Sequence, residues 1–93
     1  MRLDLFLKTS RLVPARSTAQ RLCEAGMVQV NGLTAKASKE VKPGDEVEVS
    51  RPRRVSKIEI VRLPPTRQVS KVDAPSFYRV ISDETTRSEN VLN

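Results

Sequence analysis

The 93 residues include no histidine, no tryptophan, one cysteine (Cys23) and three aromatic side chains: Phe6, Phe77 and Tyr78. Without histidine there is no imidazole base, no His-ligated metal and no ordinary Ser or Cys triad. A single cysteine builds neither an internal disulfide nor a thiolate zinc site. No run approaches the length of a membrane span. Met1-Arg2-Leu3-Asp4-Leu5-Phe6-Leu7-Lys8 is too short and too charged for a signal peptide. These gaps predict a cytoplasmic protein with no enzymatic activity, no metal, no cofactor and no membrane partner. With so few aromatics, the core must be built from Leu, Val, Ile and Ala.

Positive charge is abundant: 17 Lys+Arg stand against 11 Asp+Glu, a formal net of +6. It is unevenly placed. Residues 1–54 hold 11 basic and 6 acidic side chains, whereas residues 55–93 hold 6 and 5. The first 22 residues carry Arg2, Lys8, Arg11, Arg16 and Arg21 against Asp4 alone. A solubility role explains the amount of charge but not this bias, which predicts a polyanion-binding face in the N-terminal half.

Leu3, Phe6 and Leu7 fall at i, i+3 and i+4, one stripe of a short helix, with Asp4 and Lys8 paired on its other side. Pro14 separates this helix from a second over about 16–25. There Ser17 and Gln20 fit a capping box, Ala19, Leu22 and Cys23 form the stripe, Arg21 and Glu24 face outward, and Gly26 ends the helix. Val28 and Val30 lead into Asn31-Gly32, a strong hairpin signal. Pro43-Gly44-Asp45 reads as a turn, and Glu46-Val47-Glu48-Val49 as a half-buried strand. Arg51-Pro52-Arg53-Arg54 reads as a basic loop, and Val55–Leu63 as a long final strand ended by Pro64-Pro65. Residues 66–74 read as polar and mobile. Beyond them, either a short helix from Asp73-Ala74-Pro75 or a strand over Phe77–Ile81 fits, and residues 82–93 read as disordered.

The punctuation of the first half is specific. It runs Arg2-Leu3-Asp4-x-Phe6-Leu7, Ser10-Arg11-Leu12, Arg16-Ser17-x-Ala19 and Gly26-x-Val28-x-Val30-Asn31-Gly32. Lys36-x-Ser38, Val41-x-x-Gly44-Asp45 and Val47-x-Val49 follow. This resembles the alpha-L RNA-binding motif, also called the S-four domain, over residues 2–49. The resemblance implies an α+β fold: two N-terminal helices on a small, mainly antiparallel sheet over residues 1–63, then a linker and C-terminal extension over 64–93. Val13-Pro14-Ala15 departs from the pattern, since this loop is often more basic in relatives.

A helix N-terminus preceded by arginine suits a phosphate on physical grounds alone. The candidate RNA-binding residues are Arg2, Asp4, Lys8, Arg11, Arg16, Ser17 and Arg21, with Arg51, Arg53 and Arg54 as a second contact or merely a soluble loop. Arg16 could instead pair with Glu24 or Asp45. For Asp4 the resemblance implies either orienting an arginine or meeting a base edge. Cys23, Asn31, Ser38, Gly44 and Asp45 read as core or turn residues. With so few aromatics, backbone and shape recognition of structured RNA is favoured over base stacking.

Two stand-alone bacterial groups of this family fit so short a chain, one acting in ribosome-associated quality control and one heat-shock-induced and ribosome-binding. Ser76-Phe77-Tyr78-Arg79-Val80-Ile81 and the weak charge of the second half resemble the first group more. That resemblance implies a monomer that binds the large ribosomal subunit through ribosomal RNA and peptidyl-tRNA. There it would assist an elongation factor that recruits alanyl-tRNA for C-terminal alanine tailing. A factor for free large subunits carrying nascent-chain tRNA and a general structured-RNA module are the alternatives.

Overall fold

In the computed structural model, which describes residues 1–65 and 73–85, the apolar spacing of the first 25 residues produces two helices, α1 (Leu3–Thr9) and α2 (Arg16–Glu24). Leu3, Phe6 and Leu7 on α1 and Ala19 and Cys23 on α2 are buried. So is Val13 in the connecting loop. The apolar departure at Val13-Pro14-Ala15 therefore includes a core contact. Burial pushes the Cys23 thiol pKa up, as suits a small core residue.

Five antiparallel strands follow: β1 (Val28–Val30), β2 (Leu33–Thr34), β3 (Glu46–Arg51), β4 (Arg54–Ile60) and β5 (Tyr78–Thr85). Their order is β2-β1-β3-β4-β5, giving the α+β arrangement of two helices on an antiparallel sheet. Alternation decides the faces: Val28, Val30, Val47, Val49, Ile58 and Ile60 join the helices in one core. Glu46, Glu48, Lys57 and Glu59 fall on the opposite face.

Asn31 and Gly32 both take positive φ (53° and 83°), as a tight two-residue hairpin turn requires. Asn31 is also a clamp. Its side-chain oxygen accepts the Glu46 N–H (3.0 Å), and its amide donates to Asp45 Oδ1 (3.1 Å). Asp45, buried, further accepts the Lys42 N–H at Oδ2 (3.0 Å) and the Lys42 ammonium at Oδ1 (3.1 Å).

Several sequence expectations are corrected. Helix α2 begins at Arg16; extended Ala15 is its N-cap, and Ser17 makes no capping bond because it already lies inside the helix. Gln20 is drawn to Asp4 instead of closing a capping box. The basic loop is a tight hairpin, since Arg51 and Arg54 pair across β3–β4 and only Pro52-Arg53 turn. Strand β4 stops at Ile60, after which the Val61 and Arg62 N–H groups turn to the Phe77 carbonyl. It is not the last strand. Both options for the following segment occur in succession: a 3-10 turn over Ala74–Phe77 buries Phe77, and β5 starts at Tyr78. Ser82–Thr85, expected to be disordered, pair with β4. The expectations for 66–72 and 86–93 lie outside the described residues.

Replacing Asp45 removes acceptors from the 42–45 turn and the β1–β2 hairpin together. Asp45→Ala is expected to lower stability by about 2 kcal/mol, read as a reduced urea midpoint.

Candidate nucleic-acid interface

Asp4 organises the N-terminal face. It sits in the first turn of α1 with its side chain wholly buried. Its Oδ1 accepts the Leu5 N–H (2.7 Å) and Arg2 Nε (3.3 Å). Its Oδ2 accepts Arg2 Nη2 (3.3 Å), Arg16 Nε (3.2 Å) and Gln20 Nε2 (3.0 Å). Burial alone would raise the carboxyl pKa. The bonds from Gln20, Arg16 and Leu5 and the positive charge of Arg16 outweigh it, so the pKa lies below 3.8.

The sequence placed Asp4 outward beside Lys8. The structure buries it, because Arg2 at the N-cap of α1 and Arg16 and Gln20 of α2 cover it. Its acceptors are used by those residues, not by Lys8, which is half-buried in the last turn of α1. Nor does Arg16 pair with Glu24 or Asp45.

The arginines are held by one end. Arg2 and Arg16 keep 45% and 38% of their side chains exposed, with Asp4 engaging Nε and Nη2 of Arg2 and Nε alone of Arg16. Among the described residues, the Nη groups of Arg16 have no acceptor. Ser17 and Arg21 are exposed on α2, and the first turn of α2 carries no side-chain cap. The start of α1 is braced: Leu3 N donates to Lys39 O (2.8 Å), Asp4 N to Ala37 O (3.1 Å), and the backbone of Arg2 forms an antiparallel β-bridge with that of Glu40.

Arg11 is exposed just past the C-cap of α1, with φ 62°, where glycine is the usual residue. Its N–H closes the helix on Lys8 O (3.0 Å). A left-handed arginine carries some backbone cost.

The hairpin arginines divide. Arg53 is exposed at the tip. Arg51 is half-buried, its Nη1 on the Leu12 carbonyl (3.2 Å) and its Nη2 on Ser56 Oγ (2.7 Å). Arg54 is gripped by Asp83 of β5. Gln20, Ser56 and Asp83 were not among the sequence candidates. Gln20 was legible only as a capping residue, and Asp83 lay in a stretch read as disordered. Among the described residues no group of His, Cys, Asp or Glu could hold a metal. No helix there is long and apolar enough to cross a membrane.

A helix pair with an internally braced arginine array, on a small antiparallel sheet, coincides with the match of residues 1–47 to the S4 domain. The chain belongs to the S4 domain family. Several relatives carry the name RQC P-site tRNA stabilizing factor. The one from Halalkalibacterium halodurans is 42% identical over 90% of this chain and 93% of its own, and that from Bacillus subtilis is 38% identical over 90% and 95%. Among solved structures, the trimeric Heat Shock Protein 15 of Vibrio cholerae superposes with a TM-score of 0.79 at 27% identity, over 99% of this chain and 86% of that one. In this S4 chain, the Arg2–Asp4–Arg16 cluster falls inside the matched segment.

The ionised Asp4 and Asp45 both have pKa values held below 3.8. Their contribution to stability is therefore complete above about pH 4 and declines as pH falls toward their folded-state values. Thermal unfolding between pH 7 and pH 2 should show that decline. Asp4→Asn should flatten it while starting from a lower Tm. Arg11→Gly relieves the left-handed arginine and should hold stability within about 1 kcal/mol of wild type while weakening RNA binding.

Proposed function

We propose that this protein is a non-catalytic, cytoplasmic RNA-binding factor of the large ribosomal subunit that holds peptidyl-tRNA during quality control of stalled nascent chains. The observation that carries the reading is the pair of arginines fixed by one buried carboxylate beside the uncapped start of α2. Phosphate recognition uses that chemistry: fork-shaped guanidinium donors with the helix N-terminal amides behind them. The names of the relatives, RQC P-site tRNA stabilizing factor, support the tRNA and quality-control parts of this reading.

On this reading Arg2, Arg11, Arg16 and Arg21 contact phosphates, with Lys8 adding charge and Ser17 its exposed N–H and hydroxyl. Asp4 acts by orientation. Holding peptidyl-tRNA in place would support a partner elongation factor in adding C-terminal alanine. The likeness to Heat Shock Protein 15 favours a second reading, a heat-shock-type factor of free large subunits.

Co-sedimentation with isolated ribosomal subunits tests this. Binding is expected to the large subunit, to strengthen with peptidyl-tRNA, and to be lost in Arg16→Glu. Equal binding to both subunits, unaffected by the substitution, would sink the proposal. With Arg2, Arg11, Arg16, Arg21 and one arginine of the 51–54 hairpin each on a phosphate, log K should fall against log salt with a slope of about −3.5 to −4.5.

A further inference from the structure

The inner face of the sheet is open beyond the helices. There a cleft of about 200 Å³ lies between the α1–α2 loop and the β3–β4–β5 edge, with Arg11, Arg51, Arg54, Ser56, Tyr78 and Asp83 in its wall. Alternation puts Arg51, Arg54 and Ser56 on this inner face, in phase with Val47, Val49 and Ile58. Arg54 and Ser56 donate to one anion, and Arg51 stands behind Ser56. Asp83 Oδ1 accepts Arg54 Nε (2.8 Å) and the Ser56 hydroxyl (3.2 Å), while Oδ2 accepts Arg54 Nη2. Ser56 in turn accepts Arg51 Nη2 (2.7 Å).

A bulge aims Asp83 there. Ile58 pairs with Val80, yet Lys57 pairs with Ser82 and Ser56 with Asp83, so Ile81 is an extra residue. Were Ile81 instead paired with Lys57 in regular register, Ser82 would lie opposite Ser56, and Asp83 would face the other side of the sheet.

We propose that Arg51, Arg54 and Ser56 form a second phosphate site, which Asp83 fills in the free protein and an RNA backbone phosphate takes over on binding; this rests on the RNA-binding reading above. Three observations support the exchange. The fork of Arg54 holds the carboxylate bidentately, the geometry in which arginine also holds phosphate. The pair is accessible, with 53% of the Arg54 side chain and 33% of that of Asp83 exposed, so an external anion reaches it without unfolding the core. Arg51 also has an unmet donor: its buried Nε has no acceptor among the described residues. A tetrahedral phosphate extends out of the plane that confines a carboxylate's two oxygens. Arg11 on the opposite wall connects this cleft to the arginine rim of the helices.

A purely structural clasp between β4 and β5 makes a different prediction. Removing it would loosen β5 and leave RNA affinity unchanged or weaker. Exchange predicts a gain: Asp83→Asn should bind large subunits carrying peptidyl-tRNA about threefold to fivefold more tightly, by removing an exposed competing ion pair. Arg54→Ala should weaken binding and reduce the salt slope by about one unit. The gain should vanish in the double variant.

Because Asp83→Asn could disturb β5, wild-type protein is also titrated with inorganic phosphate while the arginine Nε–H resonances are followed by NMR. Saturable shifts at Arg51 and Arg54 are expected, and their absence overturns the site. Unchanged or weaker binding by a folded Asp83→Asn protein overturns the exchange. If Arg16→Glu abolishes binding while the Asp83 and Arg54 variants behave as wild type, this inference falls and the RNA-binding reading stands. If Arg16→Glu has no effect, the broader reading falls, whereas the phosphate titration still reports on the cleft.

Discussion

The carboxylate of Asp4 is the interaction on which the rest depends. An ionised group removed from water costs several kcal/mol unless its lone pairs are filled. Here five N–H donors fill them, from Arg2, Leu5, Arg16 and Gln20. The requirement runs both ways. Asp4 is tolerated in the interior because α1, α2 and the N-terminal residues bring donors to it, and those elements are held in register because Asp4 needs them. Folding and assembly of the arginine array are therefore one event. The array's spacing is set by a buried atom that RNA does not have to touch.

The bracing continues into the sheet. The first amides of a helix lack partners within the helix, and α1 finds some in the segment after β2, where Ala37 and Lys39 offer carbonyls. That segment continues into the 42–45 turn, which Asp45 ties to the β1–β2 hairpin through Asn31. The two buried aspartates thus stand at opposite ends of one connection. One fixes cations for display, and the other fixes backbone so that the display has a rigid base. Short helices of seven and nine residues would be marginal alone; packing on the sheet makes them a stable platform.

How far this was legible in the sequence follows from what each signal depends on. The helix stripes, the Asn31-Gly32 turn and the alternation of β3 and β4 are local, and each appears in the structure. The resemblance to the S-four domain implied two helices on a sheet and pointed to Arg2, Asp4 and Arg16. Whether Asp4 pointed outward to Lys8 or inward to Arg16 depended on packing twelve residues away in sequence, which helical periodicity does not contain. Ser17 and Gln20 met a local capping pattern that lost to the stronger demand of a buried carboxylate for donors. The strand β5 was hidden for a similar reason. Its residues Val80 to Glu84 are polar in part and exposed, and only pairing with β4 gives them order.

Asp4 and Asp83 use one chemical device for two ends, and burial separates them. Each is a carboxylate tied to arginine. The Asp4 side chain has no solvent access, whereas that of Asp83 is one-third exposed. An incoming phosphate could replace Asp4 only by opening the contact between α1 and α2, so Asp4 remains a fixed support. At Asp83 the competitor approaches from solvent and offers Arg54 equivalent oxygens. Protonation does not open either pair at neutral pH. The hydrogen bonds and charge of Arg54 hold the Asp83 pKa at about 2, and that of Asp4 is also lowered. Exchange at the outer pair is thus governed by competing anions rather than by pH. An arginine already desolvated and aligned by an internal carboxylate exchanges one anion for another, at smaller entropic cost than ordering a free side chain. That economy suits a chain with few aromatic side chains, whose affinity for RNA must come from charge held in place.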